Sequence, residues 1–249
     1  MTNSGADIWI FPIGEGQSNE FDDTCYPVLS DSEIARFDRL RFSIHKREYL
    51  HSHYFLRTVL SEYRDVAPER WQFSMNAYGK PEIAAPVDSG SLKFNLSHTQ
   101  GMAACVITSG MDCGVDVELQ KPLPDLDMVA ARNFSPAEQA MLAELSVAGR
   151  VPLFYRIWTL KESYIKARGV GLSAELTHFS VLPRVDGDGW LECPPTMDAR
   201  PQAWSIYWSE NPEGYHFAVA IKGLVKRGDL RGRVLKGSQN GGHWHDFAA

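Results

Sequence analysis

Cysteine is scarce in this 249-residue sequence, and its four copies, Cys25, Cys105, Cys113 and Cys193, include no Cys-x-x-Cys pair. This spacing favours neither a zinc site nor a disulfide framework, and reduced thiols in a cytoplasm are the simplest interpretation. The net charge of -6 argues against a dedicated nucleic-acid binder, because no overall basic field can collect phosphates. Long hydrophobic runs are missing too. The apolar run at residues 8–13 is too short for a signal segment or a membrane span, so we expect a cytoplasmic protein without membrane contact.

What is present is enough for a substantial core, since 44% of the residues are hydrophobic and 11% are aromatic. A stiff, proline-bearing connection at residues 121–125 divides the chain. Each part places a helical pattern ahead of a strand pair that ends in a buried apolar strand, MAACVIT or HFAVAIK. We therefore predict an α/β (α+β) fold of two similar halves, residues 1–121 and 122–225. The basic, glycine-rich residues 226–249 are predicted to be a disordered tail.

The most informative helical stretch is FYRIWTLKESYIKAR, residues 154–168. Pro152 can occupy its first turn, and Gly169 supplies a stop. Glu162 and Lys166 are four residues apart, so on a helix they share one face with apolar neighbours. That face has two interpretations. It could be an exposed ion pair worth about 0.2–0.5 kcal/mol, or it could be part of a charged site.

A second charged pattern lies in the strand-like segment CGVDVEL, residues 113–119. Its alternation sends Val115 and Val117 to one side and both carboxylates, Asp116 and Glu118, to the other. Two anions side by side on one strand face repel each other unless something positive covers them. On an edge strand solvent would suffice, and a bound cation is the functional alternative.

The densest positive region is a helical pattern over residues 34–63 that is broken near residues 42–45 and preceded by a possible capping box of Ser30 and Glu33. Its bases are Arg36, Arg39, Arg41, Lys46, Arg47 and Arg57. They could form a solvated helix face. In an acidic protein they are also the first place to look for a phosphate partner.

Asp116, Glu118 and Glu162 are three carboxylates with no imidazole or thiolate among them, and a lysine follows the third by one helical turn. Hard oxygen donors suit Mg2+, which takes few protein ligands and fills its other positions with water and substrate phosphate. No Walker loop and no G-x-G-x-x-G precedes a helix, so neither the P-loop nor the Rossmann route to nucleotide binding is supported. The sequence predicts a phosphate-handling site that uses Mg2+.

Five motifs, in this order and at this spacing, resemble the Sfp-type 4′-phosphopantetheinyl transferases. They are Tyr78-Gly79-Lys80-Pro81, Phe94-Asn95-Leu96-Ser97-His98, Gly114-Val115-Asp116-Val117-Glu118, Phe134-Ser135-Pro136-Ala137-Glu138 and Trp158-Thr159-Leu160-Lys161-Glu162-Ser163-Tyr164-Ile165-Lys166. With flanking similarity they cover residues 30–182. The match rests on the whole set rather than on any single motif.

The resemblance implies transfer of the phosphopantetheine arm from coenzyme A to a serine hydroxyl of an apo acyl or peptidyl carrier protein, leaving adenosine 3′,5′-bisphosphate. It also implies a pseudo-dimer of two α/β halves with the active site in the cleft between them. Because both halves lie in one chain, we expect an active monomer. The expected partners are coenzyme A and carrier proteins, without nucleic acid or membrane.

The same resemblance assigns roles to the charged residues. Asp116, Glu118 and Glu162 would hold Mg2+, and the ion would bridge the coenzyme A pyrophosphate. Lys166, and with it Lys161, would neutralise that pyrophosphate. Glu162 and Lys166 would thereby belong to the catalytic set.

Further roles concern coenzyme A and the carrier. Ser97, His98 and Lys80 match contacts to coenzyme A, with His98 at the 3′-phosphate. Arg47 is the basic residue of the first half assigned to the same phosphate. Glu138 matches the position proposed as general base for the carrier serine, although a glutamate at a helix start could serve only as a cap.

Two other function classes stay open at the level of sequence. A different Mg2+-dependent nucleotidyl or phosphoryl transferase would share the carboxylates without releasing adenosine bisphosphate from coenzyme A. A non-catalytic coenzyme A or carrier-binding module would bind without Mg2+-dependent turnover. The intact carboxylate set argues against the second.

Overall fold

The structure, a computed structural model, describes residues 5–13, 19–86, 91–171 and 175–235. Its helices are α1 (Asn19–Cys25), α2 (Asp31–Arg39), α3 (Ser43–Ser61), α4 (Leu126–Asn133), α5 (Pro136–Ala143) and α6 (Val147–Arg168). Its strands are β1 (Ala6–Pro12), β2 (Gln72–Met75), β3 (Pro81–Ala85), β4 (Leu92–Thr99), β5 (Met102–Ser109), β6 (Cys113–Leu119), β7 (Ser180–Pro183), β8 (Gly189–Glu192), β9 (Trp204–Glu210), β10 (Tyr215–Lys222) and β11 (Leu230–Val234). In these ranges no helix combines the length and the apolar character that crossing a bilayer requires.

The chain builds one unit twice. In the first unit β1 is followed by α3 and then by the hairpin of β4 and β5, and β5 pairs between β1 and β4. In the second unit β6 is followed by α6 and then by the hairpin of β9 and β10, and β10 pairs between β6 and β9. The predicted mixed α/β class is confirmed, and both predicted apolar strands occupy the middle of a sheet.

Three apolar clusters lie between the layers of the fold, one between the two sheets and one between each sheet and its helix. The inner cluster joins β1 and β5 of the first sheet to β6 and β10 of the second, with Val106 and Val115 among its fully buried members. The other face of the first sheet is covered by α3, and the other face of the second by α6. Alternate residues of each strand face these two layers, which explains why the central strands are apolar on both sides.

The predicted boundary at residues 121–125 lies one strand too late. β6 precedes that boundary in sequence but pairs with β10, from Cys113 opposite Ile221 to Leu119 opposite Tyr215. The second unit therefore begins at β6. Alternation shows which face of a strand is buried, but it does not show which sheet the strand joins.

The predicted disordered tail is wrong for residues 226–235. β11 pairs in parallel with β1, from Ala6 opposite Leu230 to Ile10 opposite Val234. The Nε of Arg231 also donates to the buried carboxylate of Asp7 at 2.5 Å. A basic, glycine-rich composition hides this strand, because its partner lies more than 200 residues earlier in the chain. The rest of the predicted tail, residues 236–249, lies outside the described residues.

Gly114→Ala is expected to destabilise the protein, because α6 crosses β6 in direct backbone contact at this position. A methyl group on Gly114 would lie 2.1 Å from Ser163 O and 2.4 Å from Ala167 N, so the helix would have to move away. Overpacking of this kind costs about 1–3 kcal/mol, which urea unfolding would measure. Gly228→Ala is the matched control, since a methyl group there meets nothing within 4 Å. Equal unfolding free energies for the two variants would contradict this account of the contact.

Candidate active site

The two sheets meet along the edge strands β4 and β6 through side chains of β4. These accept hydrogen bonds from backbone N–H groups of β6: Asn95 Oδ1 from Val115 at 2.9 Å, Ser97 Oγ from Val117 at 3.3 Å and Thr99 Oγ1 from Leu119 at 3.4 Å. The equal steps show that the two strands run in the same direction. Polar residues at alternate positions of β4 thus replace a backbone ladder and satisfy the otherwise unpaired edge of β6.

Charged side chains from both units collect beside this seam. Asp116 and Glu118 lie on the face of β6 that α6 covers, and Glu162 and Lys166 come from α6. The ammonium of Lys166 donates to Asp116 Oδ1 at 2.5 Å and to Ser97 Oγ at 2.9 Å. Ser97 Oγ donates in turn to Asp116 Oδ1 at 2.9 Å. This contact gives Asp116 the positive neighbour that the sequence predicts, and Glu162 and Lys166 line the same pocket.

α6 presents these residues as one continuous helix. It ends at Gly169, whose φ of 66° is the left-handed conformation that glycine adopts without strain. The prediction that Pro152 lies in the first turn is wrong, because the helix begins at Val147 after Ser146 and contains Pro152 in its interior. Around Pro152 the helix packs Leu153, Phe154 and Ile157 into an apolar cluster with α4 and α5, and this packing outweighs the local cost of proline.

The carboxylates of the cluster destabilise one another's charged forms. Burial raises the pKa of Glu118 to about 7, and the charge of Asp116 acts in the same direction. Burial also raises the pKa of Glu162, again with a contribution from Asp116, while Lys166 opposes it. A hydrogen bond from Thr99 Oγ1 to Glu118 Oε2, 3.1 Å long, offsets part of this effect. A cation beside these groups would relieve the repulsion.

The donor set fits Mg2+ in its chemistry. Asp116 Oδ2 is buried and has no hydrogen-bond partner, so one lone-pair direction of the carboxylate is open to a further ligand. Across the described part of the chain, no three carboxylate, imidazole or thiolate groups already surround a common point. Lys166 is the positive group at Asp116 in this arrangement. Binding of an ion by Asp116, Glu118 and Glu162 would therefore require a rearrangement of Lys166 and of the two glutamates.

Two pockets flank the cluster. The small pocket, about 280 Å³, is lined by the predicted motif at residues 78–81, by Asn95 and Leu96, and by Glu162 and Lys166 of α6. The large pocket, about 770 Å³, is formed by α1, α2, α3, the turn after β4 and the end of β6. Glu162 and Lys166 therefore line the small pocket, and Asp116 and Glu118 lie along β6 between that pocket and the large one.

Lys80 holds the wall of the small pocket in place instead of reaching the cluster. Its ammonium donates to Cys113 O at 3.0 Å and to Ala167 O at 3.1 Å, so it joins β6 to the last turn of α6. Burial lowers the pKa of Lys80. Residues 78–81 line the small pocket, where the sequence predicts a contact with coenzyme A. The ammonium of Lys80, however, is bound to two backbone carbonyl oxygens.

Glu138 and Lys161 lie away from the cleft, and this corrects both predicted roles. Glu138 is 0% exposed and Lys161 1% exposed. The ammonium of Lys161 donates to Glu138 Oε1 and Oε2 at 3.0 and 2.8 Å and to Phe179 O at 2.6 Å. Glu138 also accepts from Ser135 N and Val181 N, both at 2.8 Å. Glu138 therefore caps α5 and ties α5, α6 and β7 together, and Lys161 is not available to a pyrophosphate.

The predicted phosphate contact Arg47 is also in a different place. Its Nη2 donates to Asp22 Oδ2 at 3.0 Å, and the other oxygen of Asp22 lies 2.6 Å from Nε2 of the buried His51. Arg47 thus belongs to the wall of the large pocket. It is not the cation beside His98.

Other charged groups act on His98. Burial lowers the pKa of His98, the charge of Glu48 opposes this shift, and the positive charges of His53, Lys166 and Arg36 add to it. Arg36 lies in the last turn of α2 and forms no ion pair among the residues that the structure describes. Arg36 is one of the six bases of residues 34–63, and nothing in its sequence position indicates that it acts on His98.

Carboxylates and an ammonium that share one cleft suit a reaction in which negative charge grows on a phosphate. The fold and site thus define a phosphate-transferring enzyme built from two α/β units. A family model, the 4′-phosphopantetheinyl transferase superfamily, matches residues 112–220. The 4′-phosphopantetheinyl transferase HetI of Nostoc sp. is 31% identical over 217 residues, which make up 87% of this chain and 87% of that protein.

A second relative agrees with the first. The 4′-phosphopantetheinyl transferase Sfp of Bacillus subtilis is 32% identical over 211 residues, covering 78% of this chain and 90% of that protein. A holo-(acyl-carrier-protein) synthase from Bacillus anthracis, solved in complex with CoA, covers 45% of this chain at 17% identity with a TM-score of 0.36. The chain belongs to the 4′-phosphopantetheinyl transferase superfamily. The predicted family and enzyme class are confirmed.

Proposed function

We propose that this protein transfers the 4′-phosphopantetheine arm of coenzyme A to a serine hydroxyl of an apo acyl or peptidyl carrier protein in a Mg2+-dependent reaction. The observation that carries the proposal is the contact of Lys166 with Asp116 beside Glu118 and Glu162, in a cleft between two pockets. The serine oxygen forms a bond to the β-phosphorus of coenzyme A. The bond from that phosphorus to the bridging oxygen breaks, and adenosine 3′,5′-bisphosphate leaves with the electron pair.

Asp116, Glu118 and Glu162 would hold Mg2+, which, when bound, supplies positive charge to the pyrophosphate. The ammonium of Lys166, once released from Asp116, can donate to a pyrophosphate oxygen on which charge develops. Arg36 would present positive charge to the 3′-phosphate, and His98, whose pKa is lowered, would present a neutral ring N–H. The three carboxylates would be ligands of the ion, and Glu138 is buried against Lys161, so the serine proton would leave to solvent water.

The test is incubation with coenzyme A, Mg2+ and a panel of apo carrier domains, read by intact mass. We expect at least one carrier to gain one phosphopantetheinyl group, with release of an equal amount of adenosine 3′,5′-bisphosphate. The same carrier with its serine replaced by alanine should gain nothing. Transfer of a nucleotidyl group, or binding of coenzyme A without any mass gain across the panel, would contradict the proposal.

We also propose that the active species is a monomer, because both units that form the cleft belong to one chain. Sizing at assay concentration, followed by activity measurements on each fraction, tests this directly. Activity should follow the monomer peak. Activity confined to a dimer peak would refute it.

A further inference from the structure

One hydroxyl group of β4 contacts both the backbone and a carboxylate of β6. Thr99 Oγ1 accepts from the N–H of Leu119 at 3.4 Å and donates to Glu118 Oε2 at 3.1 Å. A threonine hydroxyl has a single hydrogen to donate. Because the N–H of Leu119 occupies a lone pair of the hydroxyl oxygen, this hydrogen is left for the carboxylate of Glu118. The contact between the two strands therefore also holds one oxygen of Glu118 in place.

The same arrangement is found two residues earlier along both strands. Ser97 Oγ accepts from the N–H of Val117 at 3.3 Å and donates to Asp116 Oδ1 at 2.9 Å. In both cases the hydroxyl group joins the N–H of one residue of β6 to the carboxylate of the residue before it. The repeat shows that the contact at Thr99 follows from the register of the two strands.

Joining the strands does not by itself require a hydroxyl group, as Asn95 shows. Its Oδ1 accepts from the N–H of Val115 at 2.9 Å. The residue before Val115 is Gly114, which has no side chain to be held. An amide oxygen is therefore enough where β6 carries a glycine, and a hydroxyl group is present at the two positions where β6 carries a carboxylate.

We infer that Thr99 is a positioning residue, whose hydrogen bond holds the carboxylate of Glu118 beside Asp116, so that binding of the ion needs only a small rearrangement of Glu118. The inference rests on the proposed function, in which both carboxylates are ligands of the ion. Ser97 has the same relation to Asp116, but it also accepts from Lys166 at 2.9 Å. A substitution of Ser97 would disturb both contacts, so Thr99 is the residue to vary.

Three substitutions of Thr99 separate the hydroxyl group from the shape of the side chain. Thr99→Val removes the hydroxyl group and keeps the shape, Thr99→Ala removes both, and Thr99→Ser keeps the hydroxyl group. Thr99 and Leu119 are both partly exposed, so water can reach the N–H that valine or alanine leaves unpaired, and these variants should fold. Thr108→Val is the matched control, because the hydroxyl group of Thr108 donates to Met111 O at 2.5 Å, a bond that involves no carboxylate.

The measurement is the dissociation constant of Mn2+ in the presence of coenzyme A, obtained from the electron paramagnetic resonance signal of the free ion. Thr99→Val and Thr99→Ala should weaken Mn2+ binding about 10–100-fold, which is the usual effect of losing a group that orients a metal ligand. Thr99→Ser should bind Mn2+ as wild type does. Thr108→Val should also bind Mn2+ as wild type does, although urea unfolding should show that it is destabilised.

Two results would overturn the inference: wild-type affinity for Mn2+ in both Thr99→Val and Thr99→Ala, or an equal loss of affinity in Thr99→Ser. A second measurement shows whether Thr99 acts through Glu118. In Glu118→Ala the ion keeps Asp116 and Glu162, and Thr99→Val should cause no further loss of affinity, because the carboxylate that Thr99 orients is gone. A further loss as large as that in wild type would also overturn the inference. Failure of the proposed function is distinguishable, since the wild-type protein would then modify no apo carrier.

Discussion

Glu162→Gln is expected to lower carrier modification by about 10²-fold or more, while the apo protein remains at least as stable as wild type. Glu162 lies in a partly desolvated cluster in which burial and Asp116 raise its pKa, so removal of its charge relieves repulsion. The amide is a poorer ligand for a hard cation. Turnover therefore falls even though folding does not suffer.

Urea unfolding and the mass-gain assay, run on the same preparations, separate these two effects. Glu144→Gln is the matched control, because Glu144 is exposed at the end of α5 and should change neither quantity. Saturating Mg2+ with coenzyme A should stabilise wild type by about 2.7 kcal/mol at a hundredfold excess over the dissociation constant, and the variant by less. Near-normal turnover of Glu162→Gln would remove Glu162 from the proposed site.

Lys161→Met is expected to cost about 3–5 kcal/mol of unfolding free energy, and a second substitution, Glu138→Gln, should recover part of that loss. Lys161 and Glu138 neutralise each other in the core, so removal of one leaves the other charge buried and unpaired. Removal of both charges restores neutrality. Because this pair ties α6 to α5 and β7, turnover should fall in the single variant and rise again in the double variant.

The change in turnover when Glu138→Gln is added to Lys161→Met distinguishes this structural role from general-base catalysis. If Glu138 took the serine proton, Glu138→Gln added to Lys161→Met would lower turnover further. Unfolding free energy and kcat of both variants, measured beside wild type, decide between the two. Arg156→Met serves as the control ion-pair variant, since Arg156 pairs with the 43% exposed Glu210 and should cost no more than about 1 kcal/mol.

Local signals in the sequence predict much of the fold. The capping box of Ser30 and Glu33 starts α2, and Ser135 with Glu138 forms a second box at α5. The central strands follow from alternation and apolar runs. β3, β8 and α1 are not predicted: β3 and β8 are short strands in polar or proline-rich sequence, and α1 is short and acidic. These three elements are stabilised by contacts with other parts of the fold, and composition does not reveal those contacts.

Sequence spacing predicts the active site where residues share a strand or helix face. It does not predict which side chains are buried away from that site. Asp116 and Glu118 alternate on β6, and Glu162 and Lys166 are one turn apart on α6, so their grouping can be read from spacing. Lys161 precedes Glu162 by one position, which turns its side chain about 100° around the helix, away from the cleft. The motif match at Glu138 and Lys161 gives no information on that burial. The contact of Arg47 with Asp22 cannot be read from spacing either, because Asp22 lies on another helix.

The most direct test of the central claim is a crystal structure with coenzyme A and Mn2+ in place of Mg2+, measured at the manganese absorption edge. The account predicts one anomalous peak in contact with Asp116, Glu118 and Glu162 and with the pyrophosphate, and an ammonium of Lys166 that has left Asp116. An anomalous peak away from these three carboxylates, or coenzyme A bound outside the cleft, would contradict it.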